Sequence, residues 1–407
     1  MNKLILFTSS FPYGDKETYL ENEILFLSKS FNEIEIYPHF YKERKTKKRD
    51  VPSNVNVHQA ALPLSKLKRI FQSLKGIFKG AKIGIFVNEF FSKKVYKSNF
   101  KFKSWLFTFN DYLATVGSSQ YDEIKGKKNA VFYFYWGFGW SYMILDFDHA
   151  KSVTSYIRLH GSDVYLERSN GYIPLRKKLF QKANFLLPIS VNLSEYLKTR
   201  YDVLSKKIKV SRLGVFIPDN LINGKATDSF EMHLVSCSNM IKIKRIDIIV
   251  KCLKYFDGRL VKWIHFGDGV EMKAIKKLID VSEFKTITVE LAGRRTNAEV
   301  LDYYKNGKID VFLNLSKHEG VPVSIMEAMS YGIPCIATNV GATSEIVNNE
   351  NGILLDENFS INDVLTTLER VKCDHWKKKR DLAFSHCNKF FNSKKNYKQL
   401  VRILKEN

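Results

Sequence analysis

The sequence predicts an α/β protein made of two Rossmann-like, doubly wound domains facing across a cleft. Three observations predict it. At 407 residues the chain is longer than one ordinary core, which favours two or three domains. Short apolar segments alternate with amphipathic ones in two successive series, the pattern of parallel strands joined by crossover helices. Between the two series, IPDNLINGKATD (217–228) gathers proline, glycine and small polar residues into a linker.

In the first series Leu4–Ser9, Ile34–His39, Val131–Tyr135, Ser152–Leu159 and Phe185–Ile189 read as strands, with Thr18–Ser30 as the first intervening helix. In the second, the strands are His233–Ser238, Val261–Phe266, Thr286–Leu291, Val311–Asn314, Pro334–Thr338 and Ile353–Leu355. Helices fill the gaps at 245–257, 270–280, 297–306, 322–331 and 342–348. The domains expected are therefore 1–215 and 216–388, with a helix over 389–407 crossing back to the first. A ligand is expected in the cleft, outside the carboxyl ends of the strands.

The formal charge is +23 and it is uneven. Residues 1–215 hold 36 Lys+Arg against 18 Asp+Glu, and residues 216–407 hold 29 against 24, so the excess is +18 and then +5. The first half is expected to face something anionic. Much of the charge lies in 64–103, which has eleven Lys+Arg and one acid, Glu89. There Leu64, Leu67, Ile70, Phe71, Leu74, Ile77, Phe78 and Ala81 recur at helical steps opposite the lysines. Such a helix either lies on an anionic membrane surface or packs its stripe on the core.

Cys237, Cys252, Cys335, Cys373 and Cys387 show no metal-ligand spacing, so a reducing cytoplasm is the simpler reading. The amino terminus reads as a buried strand, because its apolar run is too short for a signal peptide. VFYFYWGFGWSYMILDF (131–147) is interrupted by glycines and ends near Asp146, so a core strand running into a helix is preferred to a membrane span. Asp146-Phe147-Asp148 mimics a metal-binding DxD but stands in an aromatic setting, and no metal is assigned to it.

Gly267 and Gly269, after the strand WIHF, allow a sharp turn and close backbone approach to a phosphate. Gly320, Val321 and Pro322 lead into a helix whose free amides and dipole favour an anion. Lys244 and Arg245 can supply the positive charge a diphosphate demands. Glu319 sits at that helix entrance and Glu327 about two turns along. A fixed carboxylate facing away from phosphates is well suited to a diol, since it accepts two hydrogen bonds at once.

With Glu319 and Glu327 spaced as they are, HEGVPVSIMEAMSYGIPCIATNVGATSEIV (318–347) resembles the nucleotide-sugar motif of retaining glycosyltransferase family 4, which has the GT-B fold. RLHGSDVY (158–165), SRLGV (211–215), SNMIKIKRID (238–247), FGDGVE (266–271) and LAGRRTNAEVLDYY (291–304) resemble further family segments in the expected order. FPYGDKETYLENE (11–23) resembles bacterial capsule, O-antigen and lipopolysaccharide transferases of the group. The resemblance implies that Glu327 binds the ribose and Glu319 the donor sugar. Lys244 would hold the diphosphate, with Gly320, Val321 and Pro322 in the loop near phosphates and sugar. His160 would lie against the donor sugar and Gly14 in a loop near donor and acceptor. The family often has an arginine where this chain has Asn239, so Arg245, Arg294 or Arg295 is expected to share the diphosphate charge. Asp163 is read either as a helix cap or as a substrate contact.

The implied reaction is metal-independent transfer of a hexose from a nucleotide diphosphate sugar to a hydroxyl, with retention and no further cofactor. The expected acceptor is a polyprenyl-diphosphate-linked glycan, with the enzyme peripheral on the anionic inner face of the cytoplasmic membrane. UDP and GDP stay open. A phosphorylase of related fold and a non-catalytic nucleotide-sugar or lipid binder are the alternatives. Nucleic acid is not expected as a partner, because the basic stripe is apolar on its other face and no RNA-binding motif is present.

Overall fold

The computed structural model describes residues 2–14, 17–40, 48–63, 65–146, 153–221, 231–371 and 374–406. Leu64, Phe147, Asp148, Ser152, Cys373 and the linker residues 222–228 lie outside the described residues. The chain divides into two compact units, Met1–Arg212 with Tyr397–Asn407, and Leu213–Asn396.

In the first unit the strands are β1 (Lys3–Thr8), β2 (Glu33–Pro38), β3 (Val55–Val57), β4 (Ala130–Phe134), β5 (Val153–Leu159) and β6 (Phe185–Pro188). They form one sheet in the order β3-β2-β1-β4-β5-β6, with every pairing parallel. In the second, β7 (Met232–Cys237), β8 (Val261–Phe266), β9 (Ile287–Gly293), β10 (Val311–Asn314), β11 (Cys335–Thr338) and β12 (Gly352–Leu355) form a parallel sheet ordered β12-β11-β10-β7-β8-β9. Both orders reverse direction beside the first strand of the unit. The crevice outside the strand ends at that reversal is where doubly wound sheets hold ligands.

The strands read as near-continuous apolar runs because parallel sheets are covered on both faces. Leu4, Leu6, Ile34, Ile36, Val131 and Tyr133 are buried in the first core, with Leu20, Ile24 and Leu27 of helix Tyr19–Ser28 packed against them. Tyr397, Leu400, Ile403 and Leu404 of the last helix complete the same core. The carboxyl-terminal region is not one helix over 389–407. Helix Asp374–Phe390 ends, Val215 pairs with Asn392, and a new helix spans Ser393–Lys405.

Three other expectations are corrected. Residues 342–348 form only a 3₁₀ turn, Thr343–Glu345, because Ala342 N is tied to Gly320 O at 2.9 Å and the Thr343 hydroxyl bonds back to Val340 O at 2.7 Å. After β4 the chain takes a buried 3₁₀ stretch, Gly139–Leu145, in place of an α-helix. The helix carrying the stripe read over 64–81 is shorter, Lys66–Phe78, ending before Gly80, and a second helix follows at Ile83–Ser92. Among the described residues no helix is long and apolar enough to cross a membrane.

Glu23 of helix Tyr19–Ser28 and Arg158 of β5 form an ion pair of 3.1 Å with both side chains fully buried. Tyr133 donates to Glu23 at 2.7 Å and accepts from Arg158 at 3.0 Å, and Arg158 reaches Ser211 O at 3.3 Å. The pair thus fixes a helix, two strands and the end of the first unit to one point. Removing one partner leaves a buried charge, so Arg158→Met is expected to destabilise by about 3–5 kcal/mol. Glu23→Leu/Arg158→Met should recover much of that loss in urea denaturation; a double variant as unstable as the single one contradicts this account.

Candidate functional site

In the second unit the sheet order reverses between β7 and β10, and the loops that follow these two strands carry the predicted donor residues. After β7 the chain runs through Ser238–Ile241 into a 3₁₀ turn, Lys242–Lys244. Arg245 then takes a left-handed conformation, φ 51°, before helix Ile246–Lys254. After β10 it passes Leu315–Pro322 and enters helix Val323–Ser330. Lys317 N donates to Ile243 O at 2.7 Å, joining the loops.

Lys244 and Glu319 meet across this junction, Nζ to Oε1 at 2.6 Å. Asn314 Nδ2 donates to the same oxygen at 3.2 Å. Glu319 is buried, so its carboxylate is held in one orientation by a cation and an amide. Arg245, expected on the diphosphate, is turned to other work. Its guanidinium donates to Leu315 O at 2.6 Å, Ser316 O at 3.1 Å and Thr338 Oγ1 at 3.3 Å, and lies 4.6 Å from the centre of the Phe359 ring. It shapes the loop that presents Glu319. Gly341 (φ 61°) lets a further strand-end loop close on it, since a Cβ there would come within 2.9 Å of the Glu319 carbonyl carbon.

Glu327, on helix Val323–Ser330, is half-buried and accepts from Asn297 Nδ2 at 2.7 Å. Asn297 opens helix Asn297–Asn306, which is capped by Thr296 and Glu299. Burial raises the Glu327 carboxyl to about 7, against the lowering effect of the Asn297 bond. Gly267 and Gly269 bring the loop after β8 onto the loop after β7: Met240 N bonds Asp268 O at 2.8 Å, and a Cβ on Gly267 (φ 142°) would lie 2.8 Å from the Ser238 carbonyl carbon. Beneath them Trp263 donates to Ser236 Oγ at 3.0 Å, Ser236 lies 2.8 Å from His265 Nδ1, and His265 Nε2 lies 3.1 Å from Ser238 O. Burial holds His265 down to about 4, so it is neutral. Arg294 follows Gly293 at the end of β9, and Arg295 lies 3.9 Å from Glu299 on an exposed turn. Val321 and Pro322 lead directly into helix Val323–Ser330, next to Gly320.

Gly14 and His160 belong to the first unit. Gly14 has φ 73° in the loop after β1. His160 follows β5, is buried, and stacks on Trp136 with ring centres 4.3 Å apart. Burial and the Arg158 charge hold its imidazole down to about 3, so it too is neutral. Asp163 accepts from His160 N at 2.9 Å, closing the start of the short helix Gly161–Val164, and burial raises its carboxyl to about 7. Asp146 accepts hydrogen bonds from the hydroxyls of Tyr112 and Tyr121.

Sequence reasoning missed Glu17. Its carboxylate accepts from Ser9 N at 2.8 Å, Ser10 N at 2.7 Å, Phe11 N at 2.7 Å and Trp136 Nε1 at 2.6 Å. The loop after β1 is thus an amide cradle that the protein fills with its own anion, and Trp136 links it to His160. The sequence signal was only an acid shortly after the first strand. Glu35, His58 and Glu123 also cluster, with potential ligand atoms within 4.8 Å of one another. Lys127 already contacts Glu35 at 2.6 Å and Glu123 at 3.2 Å, and Lys3 contacts Glu35 at 2.5 Å, so the cluster is an ion-pair knot.

Two doubly wound units, with a Lys–Glu pair and a helix entrance at the reversal of the second sheet, define a two-unit α/β class. Residues 231–371 match the family model described as Glycosyl transferases group 1. The putative colanic acid biosynthesis glycosyltransferase WcaL of Salmonella typhimurium is 26% identical over 226 residues, 53% of this chain and 55% of that protein. The UDP-Gal:alpha-D-GlcNAc-diphosphoundecaprenol alpha-1,3-galactosyltransferase of Escherichia coli is 41% identical over 66 residues, 16% of this chain and 17% of that protein. The chain spans about half the length of its WcaL relatives from Salmonella typhimurium and Escherichia coli. Among solved structures, the apo form of the lipopolysaccharide outer core galactosyltransferase WaaB gives a TM-score of 0.67 at 17% identity, over 98% of this chain and 99% of that one. This likeness shows the fold: the chain has the GT-B architecture.

The raised Glu327 carboxyl has a signed consequence. The folded protein keeps this proton up to about 7, whereas the unfolded chain loses it near the ordinary 4.5. Its contribution is therefore full below the unfolded value and is lost as pH rises through that window. Glu327→Gln should show a smaller fall in urea midpoint between those two pH values than the wild type. Parallel curves for the two proteins contradict the assignment.

Proposed function

We propose that the protein is a metal-independent, retaining glycosyltransferase that moves a hexose from a nucleotide diphosphate sugar to a hydroxyl of a lipid-linked surface polysaccharide. The Lys244–Glu319 pair carries the reading. It stands at the reversal point of the sheet beside a helix entrance, and a diphosphate there meets a cation and a set of backbone amides. In this reading Lys244 leaves Glu319 for the diphosphate, and Glu319 turns its freed acceptors to the sugar hydroxyls. Glu327 and Asn297 take the ribose. The group 1 match over 231–371 and the colanic acid relatives support the class and the polymer setting.

No protein nucleophile is assigned to the reaction. Attack on the same face as departure leaves the protein to position the partners and to stabilise charge on the leaving diphosphate. His160, neutral and clamped on Trp136, serves as a hydrogen-bonding wall of the sugar site in this scheme and not as a proton donor. Calorimetric titration of UDP, GDP and ADP without metal is the test. One of them should bind, and Lys244→Ala should weaken it by roughly tenfold to a hundredfold through loss of a charge-assisted contact. If folded wild type takes up none of the three, or if Lys244→Ala binds as the wild type does, the reading fails.

The same proposal has the first unit resting on an anionic membrane. In helix Lys66–Phe78, Leu67, Phe71 and Phe78 are 69%, 66% and 89% exposed. Its packed side is built of small and polar groups: Gly76 lies against the Leu113 carbonyl of helix Asn99–Val116, and Gln72 donates to Ala114 O at 2.7 Å. The apolar stripe is thus turned outward and flanked by lysines, the layout of an interfacial helix. Leu67→Glu/Phe71→Glu should abolish flotation with vesicles containing phosphatidylglycerol, where wild type floats. Equal flotation of the two proteins contradicts the membrane contact.

A further inference from the structure

The first unit holds a cavity of about 570 Å³. It is lined by the end of helix Ile83–Ser92, the start of helix Asn99–Val116, the loop 166–175 and helix Arg176–Lys182. Six of its lining residues are Lys or Arg and one is an acid. That acid, Glu89, is buried and accepts from Leu175 N at 3.1 Å, so it belongs to the wall.

The cations divide into committed and available ones. Lys177 pairs with Asp202, and Arg176 donates to Gly137 O and, at 3.5 Å, to the Tyr142 hydroxyl. Lys101 lies 5.7 Å from the centre of the Tyr172 ring and donates to Lys93 O at 3.5 Å. Lys93 and Arg200 make no side-chain hydrogen bond or ion pair among the described residues. A concave wall that carries six cations against one acid already bonded within it is suited to an anion rich in acceptors.

The surroundings narrow the anion. Lys101 lies between Phe100 and Phe102, and Lys93 follows closely on Phe91; these aromatics are 39%, 40% and 64% exposed. The two helices that bound the cavity here thus also expose aromatic side chains. We infer that this cavity is a diphosphate site, for the head of a polyprenyl diphosphate lipid or for free diphosphate, with Lys93 and Arg200 as its donors. The inference deepens the lipid-linked acceptor proposed above and rests on that reading for its biological ligand.

Farnesyl diphosphate and inorganic pyrophosphate are titrated by calorimetry into wild type and into Lys93→Glu/Arg200→Glu, two exposed positions whose reversal leaves the fold intact. UDP is titrated in parallel. Both diphosphate probes should weaken in the variant by at least about tenfold, as loss of two charge-assisted contacts requires, with UDP unchanged. Tighter binding of farnesyl diphosphate than of pyrophosphate marks the lipid as the source; equal binding marks the free anion. Diphosphate binding that is absent, or that survives the charge reversal, overturns the site. If UDP fails to bind while diphosphate binding responds to the variant, the nucleotide-sugar reading falls and the cavity assignment stands.

Discussion

The Lys244–Glu319 contact is the constraint on which the second unit's site depends. It joins the loop after β7 to the loop after β10 where the order of strands reverses, and it does so with a buried carboxylate. A pair in such a place is weak evidence for stability, because desolvation consumes much of the Coulomb attraction. Its value lies in orientation. Lys244 and Asn314 both address the same oxygen of Glu319, so the carboxylate cannot turn freely. Arg245 then fixes the backbone of Leu315 and Ser316 behind it. The cation adjacent to Lys244 in sequence is thus spent on holding the acid's loop, and the two neighbours divide presentation from recognition.

The first unit solves the equivalent problem differently. There the loop after the first strand presents three backbone amides, and Glu17 occupies them together with the Trp136 indole. An internal carboxylate in an amide cradle removes the anion affinity that such loops have in many doubly wound folds. The sheets have the same strand order, yet only in the first unit does a carboxylate fill the backbone amides of the loop after the first strand.

Much of this was legible in the sequence. Strand alternation gave both sheets, and the spacing of Glu319 and Glu327 marked the helix entrance, because a helix periodicity flanked by glycine and proline survives in any context. What escaped were features set by tertiary contact. Arg245 read as a phosphate ligand because its sequence neighbour is Lys244, and only the packing of Leu315, Ser316 and Thr338 around it decides otherwise. Residues 342–348 carry helical apolar spacing, but the bond from Ala342 to the Glu319 loop interrupts the helix. Glu17 was hidden because its partners are main-chain amides, which leave no trace in residue identity. The stripe at 67–78 showed an apolar face without saying whether core or surroundings cover it; Gly76 against Leu113 answers that, since the close helix contact uses the small face and leaves the large one outside.

The charge asymmetry follows from these placements. In the proposed function the second unit meets a nucleotide diphosphate, whose charge sits on few atoms, with one lysine and oriented amides, and residues 216–407 carry an excess of only +5. A lipid surface spreads its charge over many headgroups, and attraction to it scales with the number of lysines near the plane. Residues 1–215 carry +18, with eleven of the cations between 64 and 103, a stretch whose helices also expose Leu67, Phe71, Phe78, Phe91 and Phe107. Exposed apolar side chains on their own promote aggregation, and lysines on their own bind any polyanion. Alternated on one helix surface, they suit a partner that is apolar beneath an anionic skin, and this is the physical ground of the proposed contact with a phospholipid leaflet.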